Sequence, residues 1–475
     1  MALTRGWKVL LATSVGVYLV SLDVTVVNIA FPALSRDFAG TSRNALAWVL
    51  SGYNIAFAAA LLTSGRLADR FGRKRVFTIG VVSFSLASMA CGLAPTAAFL
   101  ILFRVIQALG GALIVPASLA LVLPEFPANR RSAAIGVWGA VGALAAATGP
   151  SLGSVVVENI GWRAVFFLNA PLLVITLLYS RRLLVEWREP GATGIPDILG
   201  AAMGSAAVGF LVLAIAQGDQ WGYTSGRTAL AVMAAAVLLP AFLVRCTRRE
   251  SPILDLSLLR ERYFAVANAA AFLFSVGFFA YLFVNVQFLT GVWRYSVLGA
   301  GLAMTPGPLF AAAASGPAGR LADRYGHRVV IAPGAALFAA GVAYLATRMG
   351  DSPDYWREMF PASVLGGLGV GFTISTIGSA ATAFLPPQRF AMGSAFNNTC
   401  RQVGAAMGIA LAVAMLGQAA RVGALTAFHR TWTVLGALAL VSGALMGGLY
   451  RRPAYAPEPD VIAEGATVAA PAVAG

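Results

Sequence analysis

Asp23 is the only acidic residue standing well inside a long apolar stretch of this chain. An ionised carboxylate in hydrocarbon is costly, so a functional role is the default reading of such a residue. The competing reading is a structural carboxylate held permanently by an arginine. Arg104 is placed for that contact: it enters its own apolar run from the opposite end, about six residues deep, against about fifteen for Asp23. At about 1.5 Å per residue the two reach similar levels and could pair. Burial and a neighbouring guanidinium shift a carboxylate's proton affinity in opposite senses. A paired, buried Asp23 is therefore suited to taking up and releasing a proton, with Arg104 as its coupling partner. Gln107, one helical turn from Arg104 on the same face, is placed to bond a substrate or to orient the arginine. Asn54 in the second apolar run and Asn397 with Arg401 in the thirteenth complete the candidate substrate-binding set. Arg401 could hold an anionic group or tie helices together, and both readings stand. One buried acid against two buried arginines leaves nothing to balance a dication, so neutral, zwitterionic or singly charged amphipathic compounds are the expected ligands.

The remaining inventory excludes other chemistry. His327 and His429 both fall outside the apolar runs, and Cys91, Cys246 and Cys400 have no spacing for a disulfide or a metal. There is no phosphate-binding GxxxxGK[ST] and no nucleophile and base pair in the short polar turns. No enzyme, metal, cofactor or ATP-driven step is expected.

The elements that must position these groups are membrane helices. Of 475 residues 59% are hydrophobic and 11% charged, with mean hydropathy +0.78, against roughly 25% charged in a water-soluble domain. With about 20 apolar residues needed per crossing, fourteen spans are expected, near 8–30, 45–65, 76–94, 98–122, 133–157, 164–182, 198–216, 228–246, 263–289, 297–318, 329–347, 359–384, 390–418 and 432–450. The first is too long for a signal peptide and reads as a span. The formal charge of +15 lies in short turns and forms no nucleic-acid groove. Its concentration on one side places both termini in the cytoplasm of a multi-pass plasma (inner) membrane protein. The tail beyond Arg451 is expected to be disordered.

One stretch occurs twice. GRLADRFGRKR at Gly65–Arg75 returns as GRLADRYGHRV at Gly319–Val329, with seven positions identical. Repeats on this scale mark the duplicated bundles of secondary transporters. Gly65 and Gly72 give the turn its freedom, and Asp69, with Asp323 in the second copy, can pair with the surrounding Arg70 and Arg73 or approach a helix N-terminus. The stretch is either a latch that makes and breaks with conformation or an anchor for topology and anionic lipid. The copies follow the second and tenth spans, so two helices have been inserted into a six-plus-six plan. The expected divisions are 1–188, a six-helix bundle; 189–258, an inserted two-helix hairpin with linkers and a peripheral role; 259–450, a second six-helix bundle; and 451–475, the tail.

These features together resemble the major facilitator superfamily and, within it, the fourteen-helix drug:proton antiporters. Gly65–Arg75 is similar to its signature loop; Leu22, Asp23, Thr25, Asn28 and Pro32 to its first-helix pattern; Arg104, Gln107, Gly110 and Gly111 to its fourth-helix pattern. Gly149-Pro150 resembles the antiporter motif of helix five, though Ser151-Leu152-Gly153-Ser154 follows where a glycine pair is usual. Trp162-Arg163, Asn169, Pro171, Asp197 and Gly200 also resemble positions of the fourteen-helix group. The resemblance implies an all-α membrane fold, alternating access, a gating role for the repeated loop and Gly149-Pro150, and proton-coupled export of drug-like compounds by a monomer. A nutrient or organic-anion importer on the same fold is the alternative; a non-transporting receptor is disfavoured because no long soluble domain is present.

Overall fold

The computed structural model describes residues 4–41, 43–188, 197–249, 252, 254–417 and 423–451. The expected linker at 189–196 and the tail at 452–475 lie outside the described residues.

Among these residues the long elements are all helices. They are α1 (Arg5–Asp37), α2 (Trp48–Phe71), α3 (Arg73–Gly92), α4 (Ala97–Val122), α5 (Arg131–Asn159), α6 (Asn169–Leu183), α7 (Ile198–Trp221), α8 (Gly226–Arg248), α9 (Arg262–Gly291), α10 (Pro306–Tyr325), α11 (His327–Arg348), α12 (Phe360–Thr382), α13 (Phe390–Leu416) and α14 (Ala424–Leu449). An apolar solvent offers nothing to a free N–H or C=O, so the chain satisfies its backbone within each helix. Where helices start in polar turns, side chains take over. Thr96 accepts from the Phe99 N–H at 3.2 Å, Ser296 from Gly299 at 3.0 Å and Asp197 from Gly200 at 3.0 Å.

Among the described residues twelve helical segments are long and apolar enough to cross a membrane, two fewer than the fourteen spans expected. The spans expected near 45–65 and 297–318 are the ones that differ. In α2, Ser51, Tyr53, Asn54 and Thr63 dilute the apolar run before Arg66, Asp69 and Arg70 end it. The other is broken: Val297–Met304 is a separate helix, and α10 begins at Pro306 in the sequence Pro-Gly-Pro.

Packing follows the internal repeat. In the first group α1 lies on α5, α2 on α4 and α3 on α4; in the second α9 lies on α13, α10 on α12 and α11 on α12. The groups meet reciprocally, α5 against α10 and α2 against α13. Small residues permit this closeness. A side chain on Gly136 would collide with the Ser315 carbonyl, one on Gly319 with the Ser132 carbonyl, and one on Gly65 with the Ala391 carbonyl. The inserted pair divides its roles. α8 packs on α7 and faces outward, whereas α7 is not peripheral: Val208 and Val212 pack with Ala58 and Ile55 of α2 and with Val403 and Ala406 of α13. Thr63 of α2 bonds Ser205 of α7 at 2.8 Å.

Gly136→Val should therefore lower thermal stability by about 1–3 kcal/mol, the usual cost of overpacking. Gly448→Val, which meets nothing within 4 Å, should melt with the wild type, and equal melting of both variants in detergent would contradict the close-approach account.

Candidate functional site

The Asp23 cluster joins three helices. Asp23 of α1 and Arg104 and Gln107 of α4 are all buried. Arg104 Nη1 donates to Asp23 Oδ2 at 2.5 Å and to Gln107 Oε1 at 2.8 Å, and Gln107 Nε2 donates to Asp23 Oδ1 at 2.8 Å. The triangle closes on itself: each carboxylate oxygen has a donor, and the amide both gives and receives. From α2, the Val49 carbonyl accepts from Arg104 Nε at 3.2 Å, and the Tyr53 ring lies 4.1 Å from the guanidinium carbon, a cation–π contact that strengthens when water is excluded. Tyr53 was not among the sequence candidates; its signal was an aromatic beside Asn54 at the depth of a buried cation. Its hydroxyl is enclosed without a hydrogen-bond partner. Asn54 itself is exposed on α2 and does not join the triangle.

The second-group candidates sit apart from this cluster. Asn397 of α13 donates to Asn268 Oδ1 of α9 at 3.0 Å. Arg401, one turn further on, makes no hydrogen bond, ion pair or ring contact among the described residues, and its Nε is fully enclosed. Gly149 is buried where a side chain would collide with Thr25 of α1, so α1 and α5 approach closely there; the Pro150 side chain lies outside the described residues. Trp162 and Arg163 both donate to Asp37 Oδ2, at 2.9 and 2.6 Å. The Arg163 bond first, then that from Trp162, holds the Asp37 carboxyl below its ordinary value.

The repeated loops close one end of the molecule. In the first copy Asp69 is fully buried and accepts from Arg73 Nε at 3.0 Å and Nη2 at 2.9 Å, while Arg73 Nη1 donates to the Ala120 carbonyl at 2.9 Å. Arg70 is half-buried in the last turn of α2, and Gly72 takes φ +106°, a conformation L side chains resist. In the second copy Asp323 reaches across to the other group, accepting from the first-turn N–H groups of α5 at Ser132 (3.0 Å) and Ala133 (2.8 Å). A carboxylate there meets both free donors and the positive end of the helix dipole. Glu186, unremarked in the sequence among arginines, caps α3 in the same way through Lys74 N and Arg75 N, both at 3.1 Å, and Trp187 covers Arg73 at 3.9 Å.

A helical membrane protein built of two similar groups, with an ion pair buried inside the first and glycine-mediated contacts between them, has the form of a secondary transporter. The chain belongs to the Major Facilitator Superfamily, whose family model matches residues 13–256 and 267–473. It is 33% identical over 408 residues to the Multidrug resistance protein Stp of Mycobacterium tuberculosis (strain CDC 1551 / Oshkosh), covering 85% of this chain and 74% of that one. It is 34% identical over 410 residues to the Puromycin resistance protein pur8 of Streptomyces alboniger, covering 86% and 81%. The crystal structure of the human organic anion transporter MFSD10 (TETRAN) superposes with a TM-score of 0.68 at 16% identity, over 94% of this chain and 100% of that one; at that identity the likeness is one of fold alone.

Two expectations follow from this geometry. Removing one member of a buried ion pair costs about 3–5 kcal/mol, because the other is left uncompensated. Asp23→Asn and Arg104→Gln should each melt lower than the double variant, and additive losses in a thermal double-mutant cycle would contradict the pairing. At the closed end, Asp323→Asn should slow turnover more than it weakens ligand binding, and more than Asp69→Asn does, since Asp323 accepts two backbone N–H bonds across the groups whereas Asp69 is held chiefly by Arg73 within its own. The comparison is turnover in vesicles against a ligand-induced melting shift; lost binding with unchanged turnover would remove the latch.

Proposed function

We propose that this protein is a proton-coupled exporter of small amphipathic compounds, working by alternating access, with Asp23 as the proton site and Arg104 and Gln107 as the groups that hold and release it. The observation that carries this reading is the buried Asp23–Arg104–Gln107 triangle, a carboxylate whose partners stand ready to keep or surrender it as the cavity opens to one side and then the other. The resistance proteins named above support export as the direction.

In this reading the helices α1–α6 and α9–α14 are the rocking halves, divided as 1–188 and 259–450, with α7 and α8 as the inserted hairpin. The fourteen-span topology rests on α2 and α10, whose 24 and 20 residues reach about 36 Å and about 30 Å at 1.5 Å per residue, enough for a hydrocarbon core of about 30 Å. With both termini in the cytoplasm the repeated loops face inward, and the present structure is closed toward the cytoplasm. Gly65, Asp69, Arg73 and Asp323 then form the inner gate, and Gly149-Pro150 lets α5 bend against α1.

The test is uptake into everted membrane vesicles under an imposed pH gradient, acid inside, using compounds selected from a susceptibility panel in exporter-deficient bacteria. Wild-type vesicles should accumulate substrate, and Asp23→Asn vesicles holding equal amounts of folded protein should fall to background. Undiminished pH-driven uptake by Asp23→Asn would falsify the assignment of Asp23, and movement in the opposite direction would favour the importer.

A further inference from the structure

The two deep arginines of this chain are provided for very differently. Arg104 is neutralised by Asp23, bonded by Gln107 and Val49 and covered by Tyr53. Among the described residues Arg401 has none of these. It stands about eleven residues into α13, and at about 1.5 Å per residue this is about 16 Å in, close to the middle of a hydrocarbon core of about 30 Å. An arginine does not shed its proton to escape burial, so its charge requires a partner that the described residues do not supply.

The two asparagines in the preceding turn are already engaged. Asn397 donates to Asn268 at 3.0 Å and Asn398 to the Ser394 carbonyl at 2.9 Å. On the same face of α13, Gly404 presses on the Phe272 carbonyl of α9, so Arg401 projects from a helix held firmly above and below it. The side chain as a whole keeps partial exposure while its Nε is enclosed. A fork of donors thus remains reachable at one edge in a site otherwise short of water. Counting the deep charges, Asp23 and Arg104 cancel and Arg401 leaves one positive charge over.

We infer that Arg401 is the recognition point for a single acidic group, a sulfonate or carboxylate on an amphipathic compound, so that the preferred cargo is a monoanion. The inference rests on the transport reading for the word cargo, but the anion site stands on Arg401 alone. Carboxylates and sulfonates match the planar guanidinium fork. A lipid headgroup carries the same chemistry, but headgroups belong at the rim of the bilayer and Arg401 lies near its centre. Exchange of one anion outward for one proton inward also moves charge, so such export would be driven by the membrane potential as well as by the pH gradient.

The experiment uses full-length protein in nanodiscs and two matched pairs of probes: 2-naphthalenesulfonate with 2-naphthalenesulfonamide, and a dansyl sulfonate with its sulfonamide. Each pair shares its apolar body and differs by one negative charge. Wild-type protein in phosphatidylcholine should bind the sulfonates about tenfold to a hundredfold tighter than the amides, the range expected for a charge-assisted bond. Arg401→Gln should bring that ratio to about one, the loss falling mainly on the sulfonates, and Arg401→Lys should restore part of it. A wild-type ratio near one, a ratio unchanged in Arg401→Gln, or no binding of any probe would overturn the inference. If Arg401→Gln does not fold, the wild-type ratio and Arg401→Lys decide. Loss of sulfonate binding when phosphatidylglycerol replaces phosphatidylcholine would assign the site to lipid and overturn the cargo. Tight sulfonate binding with no pH- or potential-driven uptake in vesicles would sink the transport reading and leave the anion site standing; uptake of the amides alone would do the reverse.

Discussion

A charge brought into a membrane protein's interior must find its partner inside the protein, and the Asp23–Arg104 pair is the point at which that constraint shapes this fold. Desolvating two such ions costs several kcal/mol each, and only close geometry with every lone pair engaged repays it. Three helices are held in register to achieve this: α1 supplies the carboxylate, α4 the guanidinium and the amide, and α2 a backbone carbonyl and an aromatic face. Displacing any of them along its axis by one turn, about 5.4 Å, would separate the partners. The arrangement therefore behaves as a unit, and in the proposed proton coupling a proton on Asp23 would act on all three helices at once.

The closed end depends on one difference between two nearly identical loops. Where the first copy has Arg73, the second has His327. Arg73 turns back on Asp69 and takes up one oxygen, Oδ1, within its own group, while the Met392 backbone of the other group also bears on that carboxylate. His327 instead meets Ser132 Oγ at 3.1 Å, which leaves Asp323 to cap the start of α5. The backbone contacts are otherwise reciprocal, with Gly65 on the first turn of α13 and Gly319 on the first turn of α5. A duplicated motif has gained an internal brace on one side and a fuller cross-tie on the other.

Much of this was legible from residue types and spacing. The apolar runs located the helices, and depth alone brought Asp23 and Arg104 to one level, because a helix converts residue count into distance. What could not be read was anything that depends on rotation about a helix axis or on contacts distant in the chain. Asn54 lies at the right depth but on the exposed side of α2, while its neighbour Tyr53 faces the arginine. Asn397 is satisfied by Asn268, a partner 129 residues away. Apolarity by itself undercounted helix length where polar residues face protein, as in α2, and overestimated continuity where Pro306 and Pro308 interrupt a run.

In the proposed rocking motion, the seat of α7 would let the hairpin lie on the seam without jamming it. Among the described residues, the side-chain hydrogen bonds that α7 makes to the two groups go to α2: Ser205 with Thr63 at 2.8 Å, and Gln217 with Ser51 at 3.1 Å. Its contact with α13 is apolar, through Val208 and Val212 against Val403 and Ala406. Hydrogen bonds are directional and costly to leave unmade in a low dielectric, whereas aliphatic side chains tolerate sliding over one another. A rocking motion that carried α7 with α2 would break no hydrogen bond at the α13 face and would need only the small shear that packed helices allow. The linkers agree with that division, since Glu186 and Trp187 fasten the entry to α3, while Asp255 beyond the exit pairs with Arg389 at the start of α13, at 2.9 Å. The hairpin is thus tethered to both groups by chain and bonded through its first helix to one, the arrangement a lateral cover requires if the seam beneath it is to open and close.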